Sequence, residues 1–243
     1  MNLTLNTFFG RVAVINLKTR ADRREEMSEQ LQGIGLSFDS PRVELLEATK
    51  PQHAGGFESV GAHGCFMSHL AVLRQARDQG VSSVLILEDD LNFCERFSEK
   101  FEFVARFLTS EPWGMLYGSY FVSEPLKTSS APCVQAPSQR LIGTTAFLAI
   151  SGKHIPALVT YLEAMLTRPA GDPQGGPMHI DGAYCWFRRS HTDVITWLAH
   201  PALGFQRASK TDVHRLRWFD RVAWLAWLIA KVRRLRNRLR PSI

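Results

Sequence analysis

Several features that would settle the class of this 243-residue chain at once are missing from it. No apolar run approaches the roughly 18–20 residues that a membrane-spanning helix needs. The longest, residues 222–230, is nine residues. The four cysteines (Cys65, Cys94, Cys133 and Cys185) lie far apart and form no CxxC pair. Neither a zinc site nor a disulfide framework is therefore indicated, and free thiols in a reducing compartment are expected. There is no GxGxxG and no GxxxxGK[ST], which removes the dinucleotide fingerprint and the P-loop. The opening MNLTLNTFFG has no basic segment and no long apolar stretch, so a secretory signal is not expected there. No internal repeat is visible.

Acidic charge is scarce in one region only. Residues 213–243 hold nine basic residues and one acid, Asp220, a charge of +8. Residues 1–212 hold 20 basic and 22 acidic residues, a charge of −2. The formal +6 and the pI near 9.4 therefore describe a basic tail on a near-neutral body. A body of that charge gives no reason to expect a nucleic-acid partner. With 45% hydrophobic and 21% charged residues, the body has an ordinary globular composition and is long enough for one full core.

Apolar patterning divides the body into alternating elements. Buried strands are expected at 11–17, 83–87, 115–120, 141–150 and 194–198. A further strand with a mobile loop is expected within 37–62. Helices are expected at 19–31, 65–79, 95–109, 153–166 and 181–189. In the first, Thr19 reads as the N-cap with Asp22 three residues on. Residues 167–178, rich in Pro and Gly, read as a loop. Strands alternating with helices predict an α/β layer with a mostly parallel central sheet flanked by helices.

The densest chemistry is in VLILEDDLNF, residues 84–93. Ligands of open α/β sheets bind at the carboxyl ends of strands. Here a buried strand ends in Glu88, Asp89 and Asp90, three acids whose mutual repulsion a cation would relieve. Hard divalent cations, Mn²⁺ or Mg²⁺, take such oxygen ligands together with substrate phosphates. In an extended stretch Glu88 and Asp90 point the same way and would flank one metal, while Asp89 faces elsewhere. The competing reading is a solvated acidic turn that caps the next helix.

Two further segments accompany this one. In GAHGCFMSHL, residues 61–70, two glycines precede a helix start, with Ser68 and His69 in its first turn. Backbone N–H groups there suit an anionic ligand. In NLKTRADRR, residues 16–24, the loop leaving the first strand offers Asn16, Leu17, Arg20 and Arg23 to a nucleotide diphosphate. The alternative is a solvated basic face on the first long helix.

Together these residues resemble glycosyltransferase family 25, the lipopolysaccharide biosynthesis enzymes related to collagen galactosyltransferases. The matching stretches are VAVINLKTRADRREEM, then GCFMSHLAVLRQARDQGVSSVLILEDDLNF. Tyr117-Gly118, GTTAFLAISGKHI, HIDGAYCWF and HPALGFQ follow in order, with Ser209 and Asp212 behind them. The resemblance implies a GT-A-like single domain over residues 1–212. It implies transfer of a sugar, commonly galactose from UDP-galactose, onto a glycan acceptor such as lipopolysaccharide core. It also implies that Glu88 and Asp90 stand for the metal-binding DxD signature. An inverting reaction needs a carboxylate to take the acceptor proton. Asp181 in HIDGAY matches a family acid, with Asp172 and Asp212 as other candidates and an N-cap as its bland alternative.

The tail, 213–243, reads as a helix with an apolar stripe through Trp218, Val222, Leu225, Ile229, Val232, Leu235 and Leu239. Trp218, Trp224 and Trp227 with flanking Arg233 and Arg234 suit the interface of an anionic membrane. The alternative is a helix packed on the body or on a second subunit. The expectation is a metal-dependent transferase, cytoplasmic and peripheral on the cytoplasmic face of the bacterial inner membrane. Its rivals are another nucleotide-diphosphate enzyme, such as a nucleotidyltransferase, and a membrane or nucleic-acid binding module acting through the tail. Removing residues 213–243 is expected to lower co-sedimentation with anionic vesicles while turnover of a soluble acceptor persists. Loss of that turnover in a folded truncation would make the tail part of the catalytic unit.

Overall fold

The computed structural model describes residues 3–124, 126 and 130–207, so the tail expectation, with Asp212, lies outside the described residues. A one-turn helix α1 (Leu5–Phe8) leads into β1 (Arg11–Asn16), α2 (Ala21–Gly33), β2 (Val43–Glu47), α3 (Val60–Asp78) and β3 (Ser83–Glu88). Next come β4 (Leu91–Phe93), α4 (Phe97–Ser110), β5 (Met115–Phe121), β6 (Cys133–Ala136) and β7 (Gly143–Ser151). The described chain closes with α5 (Ile155–Leu166), α6 (Ile180–Ser190), β8 (Thr196–Ala199) and β9 (Gly204–Gln206).

Seven strands form the main sheet in the order β2-β1-β3-β7-β5-β8-β6. β1 runs parallel to β2 and β3, and β5 parallel to β8, while β7 and β6 are antiparallel to their neighbours. Five of the seven strands thus share one direction, as the alternation of elements predicts. All six residues of β1 are buried, as is usual for a strand covered by helices on both faces.

The period of two along the strands sorts side chains into two cores. Ala13, Ile15, Val84, Ile86, Leu148 and Ile150 face a core shared with α3, α5 and α6. Val12, Val14, Leu85, Leu87, Phe147 and Ala149 face the other, shared with α1, α2 and α4. The result is a helix–sheet–helix sandwich whose strand ends are left open to carry a site.

Three local expectations change. Helix α3 begins at Val60, five residues before the expected start, with Ser59 as N-cap accepting from the Ala62 N–H at 3.0 Å. Gly64 is inside the helix because its backbone meets the loop after β2: a Cβ there would lie 2.6 Å from the Thr49 carbonyl oxygen. Ser68 and His69 are consequently mid-helix and cannot offer first-turn N–H groups to an anion. Helix α2 has Arg20, without a side-chain cap bond, at its N-cap, and Asp22 pairs with the Arg20 guanidinium at 2.9 Å instead of forming a capping box with Thr19. The short pair β4·β9 and strand β6 were not expected, since three- and four-residue strands leave little periodicity to read.

The β5–β7 register shifts on either side of Ser119, and the first shift spans Gly118. A Cβ on Gly118 would lie 2.4 Å from Cδ1 of the buried Phe147 ring. Gly118→Ala is therefore expected to cost about 1–3 kcal/mol by overpacking, read as a lower thermal midpoint. Combining it with Phe147→Leu should recover part of the loss. An equal cost in both backgrounds would show that the ring is not the obstacle.

Candidate active site

The parallel strands β1 and β3 end side by side, with Ile15 in register with Glu88. Against their carboxyl ends lies a cleft of about 590 Å³. Its lining includes Arg23, Cys65, Ser68, His69, Glu88, Asp89, Asp90, Thr145, Asp181, Gln206 and Arg207. Six separate elements therefore contribute to one concavity at the position expected for a ligand in an open α/β sheet.

Each acid in the triplet has a different environment. Glu88, the last residue of β3, accepts from the Thr145 hydroxyl at 2.5 Å, and its Oε1 lies 3.5 Å from His69 Nε2. Burial opposes its charge, but His69 and Thr145 outweigh that and hold the carboxyl below its ordinary range. Asp89 accepts from Asn16 Nδ2 at 2.7 Å and from Arg23 Nη1 at 2.9 Å, and so ties the ends of β1 and β3 to α2. Asp90 sits in a turn, not in an extended stretch, with Arg23 at 3.3 Å and Gln206 at 3.2 Å on Oδ2. Its buried Oδ1 has no hydrogen-bond partner. Burial, with the neighbouring Glu88 charge, pushes the Asp90 carboxyl up to about 7.

Arg207, immediately after β9, closes the back of this cluster. Its guanidinium donates to the Asp89 and Leu91 carbonyls and to Asn92 Oδ1, and it pairs with Glu26 at 3.3 Å. The Arg207 N–H also donates to the Asp90 carbonyl at 2.6 Å. Glu26, Asp89 and Asp90 thus share two guanidiniums, those of Arg23 and Arg207, while Glu88 meets Thr145 and His69. The remaining negative charge, the orphaned Asp90 oxygen and the all-oxygen donor set of Glu88 and Asp90 fit a hard divalent cation.

The other expected residues divide into those in the cleft and those behind it. Leu17 and Arg23 line it; Asn16 and Arg20 do not. Asn16 is buried and donates to the Arg20 carbonyl as well as to Asp89, so its role is to hold the β1–α2 turn. Arg20 is paired with Asp22. Ser68 lines the cleft, but its hydroxyl donates to the Gly64 carbonyl and accepts from the Thr49 N–H, pinning the loop after β2 to α3. Asp181 is in the first turn of α6 behind an N-cap at His179, so the N-cap alternative does not apply. Its carboxylate accepts from the adjacent Gly182 N–H at 2.8 Å and lines the cleft. Asp172, the other described candidate, accepts from the Gln174 N–H within its own loop and is not part of the lining.

Across the mouth, His179 and Glu58 meet at 3.0 Å, joining the loop before α6 to the one before α3. Within the wall, His69 Nδ1 is 3.1 Å from the Tyr184 hydroxyl of α6. Arg207, Thr145, Gln206 and Tyr184 were not singled out from the sequence. Each sits far along the chain from the group it supports, an acid or, for Tyr184, His69, and carries no local spacing signal.

Residues 9–120 match the model of glycosyltransferase family 25, described as an LPS biosynthesis protein. This region therefore resembles glycosyltransferase family 25. It runs from the entry to β1 through β5 and so supplies Arg23, Cys65, His69 and the three acids, but not Asp181 or Arg207. A stretch of 128 residues is 31% identical to procollagen galactosyltransferase 1 of Danio rerio, covering 45% of this chain and 21% of that protein. A stretch of 127 residues is 29% identical to the inactive glycosyltransferase 25 family member 3 of Homo sapiens, with the same shares covered. The chain spans between about a sixth and a third of the length of the curated relatives it matches. The solved structure of a glycosyltransferase involved in glycosylation of the major capsid of PBCV-1 is 11% identical over 83% of this chain and 94% of its own, with a TM-score of 0.47.

The raised Asp90 carboxyl has a consequence for stability. Without divalent cations, native Asp90 keeps its proton between about pH 4 and 7, where an unfolded aspartate has lost it. Stability is therefore expected to fall as pH rises through that window, by up to about 4 kcal/mol. Urea unfolding in chelator at the two ends of the window should show the decline, and Asp90→Asn should flatten it. An unchanged slope in Asp90→Asn would assign the decline to another group.

Proposed function

We propose that this chain is a GT-A-like glycosyltransferase that moves a sugar from a nucleoside diphosphate donor to a glycan acceptor with inversion. The observation that carries the reading is the Glu88–Asp90 pair at the end of a buried parallel strand, opening on a cleft that also holds Arg23 and Asp181. The similarity of residues 9–120 to the family supports it.

In this reading the donor diphosphate lies near Arg23, whose guanidinium is already oriented by Asp89 and Asp90. A divalent cation held by Glu88 and Asp90 would supply Lewis-acid stabilisation of the leaving diphosphate. The acceptor hydroxyl attacks the anomeric carbon as the carbon–oxygen bond to the diphosphate breaks. The electron pair leaves with the diphosphate, and Asp181 takes the hydroxyl proton. The transition state carries positive charge on the sugar ring, which the acidic wall of the cleft favours.

Galactose is the sugar that the names of the procollagen galactosyltransferase relatives suggest, and UDP-galactose would be its donor. A lipid-linked glycan such as lipopolysaccharide core is the acceptor, presented at the cytoplasmic face of a membrane that the basic tail would touch.

Glu88→Ala and Asp90→Ala are each expected to abolish nearly all turnover of UDP-sugar, measured as release of UDP across a donor panel with and without Mn²⁺. Asp181→Asn should lower transfer by about 10²–10⁴-fold while donor binding is kept. Full turnover in both acid variants would exclude the metal assignment. Release of pyrophosphate instead of UDP would favour a nucleotidyltransferase.

A further inference from the structure

One wall of the cleft carries a second donor set, of which the sugar-transfer reading uses only Glu88. Cys65 and His69 are four residues apart on α3 and therefore lie on the same helical face. The Cys65 sulfur, a His69 ring nitrogen and a Glu88 carboxylate oxygen all lie within 4.8 Å of one another. His69 is fully buried (0% exposed), lines the cleft, and its Nε2 has no hydrogen-bond partner. An unpartnered buried ring nitrogen is costly, and such an atom marks an absent ligand or a functional constraint.

The geometry is specific. His69 Nε2 and Glu88 Oε1 are 3.5 Å apart, beyond a good N–H···O bond. Two ligands at about 2.1 Å from one tetrahedral ion stand roughly 3.4 Å apart. The nitrogen and the carboxylate already have that spacing. The other ring nitrogen, Nδ1, meets the Tyr184 hydroxyl at 3.1 Å. In the tautomer with Nδ1–H donating to that oxygen, Nε2 would present its lone pair to an ion in the cleft; without an ion, a proton on Nε2 faces Glu88 instead. The Tyr184 contact is the outer support that metal-binding imidazoles use to fix tautomer and ring plane. Thr145 supports Glu88 in the same way.

We propose that Cys65 Sγ, His69 Nε2 and a Glu88 oxygen form a binding site for a borderline-soft divalent cation of the zinc class. Thiolate and imidazole select such ions over Mg²⁺ or Ca²⁺, and three protein ligands leave the fourth position open to the cleft. The sulfur enters as thiolate, so its proton leaves for solvent on binding. Because Glu88 serves both sites, zinc-class occupancy displaces the hard cation from the Glu88–Asp90 pair. That competition rests on the glycosyltransferase reading; the binding itself does not. The absence of a CxxC pair suggested no zinc site, and here the third ligand arrives from a neighbouring strand instead.

The test is a titration of the full-length, metal-stripped protein with Co²⁺, read by absorption spectroscopy. One equivalent is expected to bind with a near-ultraviolet thiolate-to-cobalt charge-transfer band, and Zn²⁺ should bleach it while Mg²⁺ in excess does not. Cys65→Ser should remove the band. His69→Gln should weaken binding by more than the roughly 10–100-fold typical of supporting residues. Should Cys65→Ser fail to fold by circular dichroism, His69→Gln carries the decision alone. Absence of the band, or a band that survives these substitutions in folded protein, overturns the site. Sugar-transfer activity plays no part in this readout, so the two readings stand or fall separately.

Discussion

Three consecutive carboxylates at the end of a buried strand are the constraint around which this molecule is arranged. Charge repulsion and loss of water both oppose placing Glu88, Asp89 and Asp90 where the fold puts them. The response is distributed over the whole chain. Asn16 and Arg23 hold Asp89 from the β1–α2 side, and Gln206 and Arg207 come from the far end of the described residues. The small β4·β9 pair exists at the place where it brings those last residues onto the turn. Compensation remains incomplete, and the incomplete part is the useful one: an orphaned Asp90 oxygen and a carboxyl pushed up toward neutrality.

The same economy governs the opposite wall. Helix α3 passes so close to the loop after β2 that only a glycine fits at position 64, and Ser68 fastens the contact. That approach is what carries Cys65 and His69 to the end of β3. One glutamate, Glu88, consequently stands between an oxygen-rich set and a sulfur–nitrogen set. Hard and soft cations would meet it from different sides, and which ion prevails depends on ligand chemistry more than on the shape of the cleft.

Much of the architecture was legible because long buried strands and amphipathic helices leave a period that survives any tertiary context. The strands at 11–16 and 83–88 and the helices at 97–110 and 155–166 lie close to where their apolar spacing places them. Errors arose where a residue's local preference was overruled by a contact. Gly64 looks like a helix breaker until the Thr49 carbonyl is seen to need the space. Asp22 looks like half of a capping box until Arg20 takes it. The short strands at 91–93, 133–136 and 204–206 are made by their partners and have little pattern of their own.

The sequence by itself determined the alternation of strands and helices, the acid triplet at a strand end and the separation of a basic tail from a near-neutral body. These are local properties of consecutive residues, so periodicity and charge counting reach them. Only the tertiary structure decided which groups surround the acids. Thr145, Tyr184, Gln206 and Arg207 are between 57 and 118 residues away from the cleft-wall groups they contact. Tertiary structure also separated Asn16 and Arg20, which support the turn from behind, from Arg23, which faces the cleft. Residues that distant become neighbours only when the sheet closes, because burial of the strands, and no local preference, fixes the register that brings them together.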